Sequence, residues 1–193
     1  MKIQKILKRL LQLHPKSIDL SLHRIKRLLK NLNSPEKKIT NAIQVVGTNG
    51  KFSICSTLRE IFETAGYSVN MNISPSLRKF NERYYLSGKH ISDEELCDLL
   101  SEVEKINQNK SITFHEFICA CFFLAASRKK SDVNILEAGL FFRLDASNVL
   151  EKNIASIITP IGMDLSLIHI SEPTRRTPIS YAVFCLKKVC LRR

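Results

Sequence analysis

The chain has 193 residues, 44% of them hydrophobic and 25% charged, with a formal net charge of +12. That balance suffices for one domain with a real core and excludes an intrinsically disordered polymer. The longest apolar run, FICACFFLAA at 117–126, falls short of the roughly 20 residues that a membrane-spanning helix needs.

In the N-terminal stretch MKIQKILKRLLQL, apolar Ile3, Ile6, Leu7, Leu10 and Leu11 recur at helical spacing with lysines and arginine between them. Interspersed charge of this kind marks an amphipathic surface helix and not a signal peptide, so a cytoplasmic location is expected. Leu22, Ile25, Leu28, Leu29 and Leu32 repeat the spacing beyond HPKSIDLS, where Pro15 separates the two helices. The basic residues of this region (Lys2, Lys5, Lys8, Arg9, Arg24, Lys26, Arg27 and Lys30) sit among those leucines, as on a solvated helix face. NSPEKK ends the second helix, and AIQVVG reads as a short buried strand.

From Lys51 onward, Ile54, Leu58, Ile61 and Phe62 predict a helix that stops at Gly66, a good C-terminal cap. YSVNMNI is the next strand, followed by the loop SPSLRKFNE and an extended piece, RYYLSG. Two capping boxes, Ser92 with Glu95 and Thr113 with Glu116, open two further helices. VNILEAG and IASIITP are the last clear strands. Strands alternating with helices predict an α/β fold with a mostly parallel sheet flanked by helices. The six cysteines (55, 97, 119, 121, 185 and 190) form no CxxC pair and have no histidine at zinc-finger spacing. Buried thiols in a reducing compartment fit them better than a sulfur metal site.

GTNGKFS, at 47–53, lies between a strand and a helix, the setting in which backbone amides and a lysine hold phosphates. The general form G-x-x-x-x-G-K-[ST] is not met literally: the glycines are three apart and Phe52 separates Lys51 from Ser53. Spacing alone leaves a phosphate cradle and a simple strand-to-helix turn both open. Structural readings exist for the other polar residues too. Ser74 precedes Pro75 and opens a turn, Glu137 ends a strand within reach of Arg143, and Asp19 or Ser21 caps the second helix.

GTNGK with a serine two positions on resembles the phosphate loop of the Mur ligase superfamily, specifically folylpolyglutamate synthase/dihydrofolate synthase. HPKSIDLSLHRIKRLL is similar to that family's N-terminal signature, SPSLRKFNER to its SPHL...NER loop and ITFHEF to its T-[FY]-F-E helix start. LEAGLFFRLDASN resembles its LEVGLGGRLDATN block, and ITPIGMD the strand before an Asp-His pair. The resemblance covers about residues 10 to 164, with the motifs in order.

It implies a phosphate-loop ATPase-type domain, an incomplete Mur-ligase central domain, using ATP and Mg2+ to add L-glutamate to folate or dihydropteroate through an acyl phosphate. Carried over position by position, Lys51 and Glu137 would be catalytic. Asn49, Gly50, Lys51, Phe52 and Ser53 would bind the nucleotide, and Ser74 and Glu137 would ligate the metal. Asp19, Leu20, Ser21, Leu22, Thr113, Phe114, His115, Leu144, Asp145 and Ala146 would form the substrate side. Small-molecule substrates are the expected partners of a monomer, with neither nucleic acid nor membrane.

The sequence departs from the family pattern at several positions. Phe52 stands where a glycine is usual, which puts a bulky ring beside the phosphates. Phe141 and Phe142 replace a Gly-Gly pair, Ser76 the loop histidine, and His115 an aromatic. The metal-binding histidine after Asp164 is Leu165 here. From Leu165 the chain loses its period and turns basic, with Arg175, Arg176, Lys187, Lys188, Arg192 and Arg193 against Glu172. The expected organisation is therefore a truncated N-terminal/central ATP-binding domain at 1–164 and a non-native tail at 165–193. The C-terminal glutamate-ligase domain would be absent and the fragment inactive. Two other readings stand beside it: a nucleotide-binding domain without catalysis, and a basic nucleic-acid-associated protein.

Overall fold

The computed structural model describes residues 2–14, 19, 21–139 and 142–161, together with strand residues 184–185. Five α-helices and seven strands are described: α1 (Lys2–Leu10), α2 (His23–Asn31), β1 (Ala42–Val46), α3 (Lys51–Thr64), β2 (Val69–Asn72), β3 (Tyr84–Leu86), β4 (Lys89–His90), α4 (Asp93–Asn107), α5 (Phe114–Arg128), β5 (Val133–Glu137), β6 (Ala155–Ile158) and β7 (Phe184–Cys185). Every helix and strand expected up to β6 forms within a residue or two of its sequence signal. The sheet order is β4-β3-β2-β5-β1-β6-β7. The four central strands, β2, β5, β1 and β6, run parallel, and β3, β4 and β7 pair antiparallel at the two ends. A mixed α/β fold of this kind is the expected class.

Two apolar clusters lie on opposite faces. On one, α3 packs Cys55, with Ile54, Leu58 and Phe62, onto Ile43, Val45, Val69, Met71, Val133 and Ile135. On the other, α1, α2, α4 and α5 build the larger cluster. Helix α5 is buried from Glu116 to Ala126 because it contacts β3 on one side and α2 and α4 on the other. That explains the apolar run at 117–126, since a helix apolar all round belongs inside. Phe117, Phe122 and Phe123 are fully buried, each contributing about 2–3 kcal/mol by area removed from water. No helix among the described residues is long and apolar enough to cross a membrane.

The strands read as buried yet carry polar residues, and each of these finds a partner. Asn70 and Asn134 are register partners on β2 and β5. Asn70 Nδ2 donates to Asn134 Oδ1 (3.2 Å) and to the Lys129 carbonyl (2.7 Å), and Asn134 Nδ2 donates to the Thr40 carbonyl (2.7 Å). Buried amides are tolerated when satisfied, and here they tie loops to the sheet end opposite the site.

The helix ends follow local chemistry. Both capping boxes form: Ser92 with Glu95 and Thr113 with Glu116 exchange their side-chain and backbone hydrogen bonds. Gly66, at φ +84°, closes α3, with its N–H donating to Glu63 O. The start of α2 differs from expectation. Leu22 is the capping residue, without a side-chain cap, while the Ser21 hydroxyl accepts from the His23 N–H (3.2 Å). Asp19 is instead drawn to Arg24, whose Nη2 donates to its carbonyl (2.7 Å) and Nη1 to its carboxylate (3.2 Å).

Candidate nucleotide and substrate site

Loops at the C-terminal ends of β2, β5, β1 and β6 converge along one edge of the sheet, the place where open α/β sheets bind ligands. The loop from β1 into α3 needs both its glycines. Gly47 adopts φ +136° and Gly50 φ +81°, conformations that L side chains rarely take. At Gly47 a Cβ would also lie 2.8 Å from the Thr159 carbonyl oxygen. The end of β6 is thereby pressed onto the loop. The Thr48 N–H donates to Pro160 O (3.0 Å), and the exposed Asn49 turns its N–H to the same oxygen (3.4 Å).

Helix α3 begins directly at Lys51, with Gly50 as its N-cap. The first amides of a helix have no intrahelical partner and carry its positive end. Those of Lys51, Phe52 and Ser53 therefore present the positive end of α3 at the loop. The Lys51 ammonium folds back onto Gly47 O (2.8 Å) and Thr48 O (3.1 Å). Phe52 occupies ordinary helical backbone, so its position does not need a glycine, and its ring is 44% exposed. Ser53 is exposed one position further along. An almost wholly apolar cavity of about 200 Å³ lies beside this turn, lined by Gly50, Ser53, Ile54, Ile157, Ile158, Thr159 and Pro160.

Glu137, the last residue of β5, is the register partner of Val45 on β1 and is buried. Its carboxylate accepts from the Ser74 N–H at 2.8 Å, so the two residues expected to share a metal do meet. Burial pushes the Glu137 carboxyl above its ordinary range, while the Ser74 N–H, Lys51 and Arg83 pull it back. Among the described residues Glu137 makes no ion pair with Arg143, which is exposed. No group of three His, Cys, Asp or Glu side chains able to hold a metal occurs among the described residues. A cation here would depend on the hard oxygens of Ser74 and Glu137 with phosphate and water, the coordination that Mg2+ favours.

The substrate-side residues also come together. Thr113 N donates to Glu116 Oε2 (2.8 Å), and the same oxygen accepts from Arg24 Nε (2.9 Å), which links α5 to α2 and to Asp19. His14 Nε2 lies 3.2 Å from Asp19 Oδ2. His115, on the first turn of α5, places Nε2 at 3.1 Å from Asp145 Oδ2. Phe114 meets Phe80 edge to face, with ring centroids 6.1 Å apart. Asp145 and Ala146 are buried, Leu144 is exposed, and Gln44 on β1 holds this turn by donating to Ser147 O (3.1 Å). Ser21 and Leu22 are half-buried at the start of α2. The readings placed on Leu20 and Phe141, and on the segment from Asp164 through Leu165, lie outside the described residues.

Sequence reasoning missed Arg83. Its guanidinium stacks over Phe80 at 5.0 Å, its Nε is buried without a partner, and burial lowers its pKa. Tyr84, Cys119 and Glu137 pull the other way. The signal was its place in SPSLRKFNER, where the loop was read for the motif and not for its charge. Glu116 was read only as a cap, although it also anchors Arg24.

A glycine-bearing loop after one of the central parallel strands and a buried carboxylate at the end of the strand beside it, on a sheet covered by helices, mark a Mur-ligase-type α/β fold. No family model matches the chain. It is 41% identical over 150 residues to a dihydrofolate synthase/folylpolyglutamate synthase of Bacillus subtilis, covering 74% of this chain and 34% of that protein. The solved E. coli FolC in complex with DHPP and ADP superposes with a TM-score of 0.79 at 32% identity, over 85% of this chain and 39% of that one. A bifunctional folylpolyglutamate synthase/dihydrofolate synthase with Mn, AMPPNP and L-glutamate bound gives a TM-score of 0.74 at 34% identity, over 82% and 38%. Over the region it shares with them, the chain belongs to the dihydrofolate synthase/folylpolyglutamate synthase family. It spans about a third of the length of the curated relatives it matches.

Proposed function

We propose that these residues supply the ATP- and pterin-binding part of an ATP-dependent ligase that joins L-glutamate to a folate or dihydropteroate carboxylate. The observation that carries this reading is the Gly47–Lys51 loop on a central strand, facing the Ser74–Glu137 pair across β1 and β5. In it, the amides of Lys51, Phe52 and Ser53 receive the phosphates, and Lys51 leaves Gly47 O and Thr48 O to neutralise the terminal ones. Ser74 and Glu137 hold the cation, which when bound neutralises charge on the transferring phosphoryl group. Asp19, Thr113, His115 and Asp145 line the substrate side. Relatives solved with ADP and DHPP, and with Mn, AMPPNP and L-glutamate, support the ligand classes.

On this reading the protein is a cytoplasmic monomer acting on small molecules, without nucleic acid or membrane partners. Residues 165–193 are on this reading a non-native tail. A nucleotide-binding domain without catalysis is the second reading, favoured by Leu165 where the family has a metal-binding histidine.

Calorimetry of ATP with and without Mg2+ tests the assignment. Lys51→Ala is expected to lose roughly tenfold or more in affinity, the value of one charge-assisted phosphate contact. Phe52→Gly is expected to bind as the parent does, because that ring is exposed on a helical backbone. Equal affinity in the Lys51→Ala variant and the parent would remove the phosphate-loop reading.

A further inference from the structure

The Asp145 carboxylate is densely contacted. Oδ1 accepts from the Ser147 N–H (2.8 Å) and hydroxyl (2.6 Å), and Oδ2 accepts from the Gly139 N–H (2.9 Å) and faces His115 Nε2 at 3.1 Å. An ionised carboxylate offers about four acceptor sites. A further N–H donor must therefore compete with partners already in place.

Three of them are fixed. The Gly139 and Ser147 amides belong to backbone on either side of the Asp145 turn, and the Ser147 hydroxyl is buried within it. The imidazole is the movable one. Its side chain is 34% exposed and hangs from the first turn of α5. Gly139 makes the close approach possible, since a Cβ there would lie 2.8 Å from both Asp145 Oδ2 and His115 Nε2.

We propose that His115 is a specificity-determining residue that competes with the substrate for Asp145, so that a ring presenting N–H donors engages the carboxylate only after the imidazole has swung out. The inference rests on Asp145 being a substrate contact, as proposed above. Such a ring is of the 2-amino-4-oxopyrimidine class, whose amino or lactam N–H suits the site on Oδ2 that the imidazole vacates.

Among the described residues, two groups face the imidazole: Cys119, with Sγ 3.7 Å away on the next turn of α5, and Asp145 from the opposite turn. Cys119 foremost, then Asp145, holds the ring proton against the opposing effect of burial, so His115 titrates well above its ordinary value. At neutral pH the contact is thus charge-assisted and costs more to break than a neutral one. Affinity for a donor-bearing ring should rise as increasing pH discharges the imidazole.

Dihydropteroate binding to the full chain, measured by calorimetry at steps from about pH 6 to about pH 10 to cover the raised histidine titration, tests this. His115→Phe is expected to bind roughly tenfold tighter at neutral pH and to lose the pH slope. His115→Gln, which keeps a neutral donor, is expected to fall between the two without a slope. If parent and both variants bind equally with one pH profile while Asp145→Asn abolishes binding, competition by His115 is overturned and the substrate site stands. If no variant binds, or Asp145→Asn binds like the parent, the substrate-site reading falls and this inference falls with it.

Discussion

Gly47 shows how much a single residue can carry in this fold. Its backbone is left-handed, and the Thr159 carbonyl occupies the space of its missing Cβ. Gly47→Ala therefore combines a conformational penalty with a backbone clash and is expected to cost about 2 kcal/mol or more in urea denaturation. The His115–Asp145 pair makes a second prediction, with a sign on each side. Asp145 titrates below its ordinary value, helped by His115 and Ser147 against burial. Its stabilisation is present above the unfolded carboxylate pKa and is lost as pH falls through the depressed folded value. His115 titrates above its ordinary value, so its contribution is full below the unfolded histidine pKa and is lost as pH rises through the raised one. The stability difference between the parent and His115→Phe should thus be largest between about pH 4 and about pH 6.5, shrinking in both directions. A difference independent of pH in chemical denaturation would disprove the ion pair.

The two capping boxes look alike in sequence but sit in different surroundings. Ser92 is exposed at the start of α4, whereas Thr113 and Glu116 are buried, with Glu116 holding Arg24. Ser92→Ala should cost about 1 kcal/mol, and Glu116→Ala about 2 kcal/mol because it leaves the half-buried Arg24 Nε and the buried Thr113 N–H without their acceptor. Thermal or urea unfolding of the two variants would check the ranking. This contrast also marks what could be read from the sequence. Helices, strands and caps follow from period and turn chemistry, which are local, and the elements from α1 to β6 other than β4 were legible for that reason. The strand order was not, because placing β5 between β1 and β2 depends on crossovers that leave no local trace. β4 was also missed: a two-residue strand beyond the Ser87–Gly88 turn is too short to show a period. The juxtaposition of Ser74 with Glu137 was legible only through resemblance to a family, since 63 residues separate them. The contact of His115 with Asp145 was not legible at all, for it depends on the missing Cβ of Gly139.

Across the whole molecule, both apolar clusters are built, among the described residues, from positions between Ile3 and Ile157. The later segment is represented among the described residues by β7, whose two residues pair with Ser156 and Ile157 at the outer edge of β6. A chain ending at Asp164 is accordingly expected to melt within a few degrees of the 193-residue chain, since losing so short a pairing costs on the order of 1 kcal/mol. A large fall in melting temperature would show that the tail is part of the fold. Strand β1 lies between β5 and β6, which arrive roughly a hundred residues later in the chain. The Gly47–Lys51 loop, though among the first motifs to be synthesised, has no wall at Thr159 and no carboxylate at Glu137 until those distant strands close on it. Closing long loops is the slow part of folding. On the proposed function, nucleotide capture should therefore be the final event of refolding, rising with the global phase.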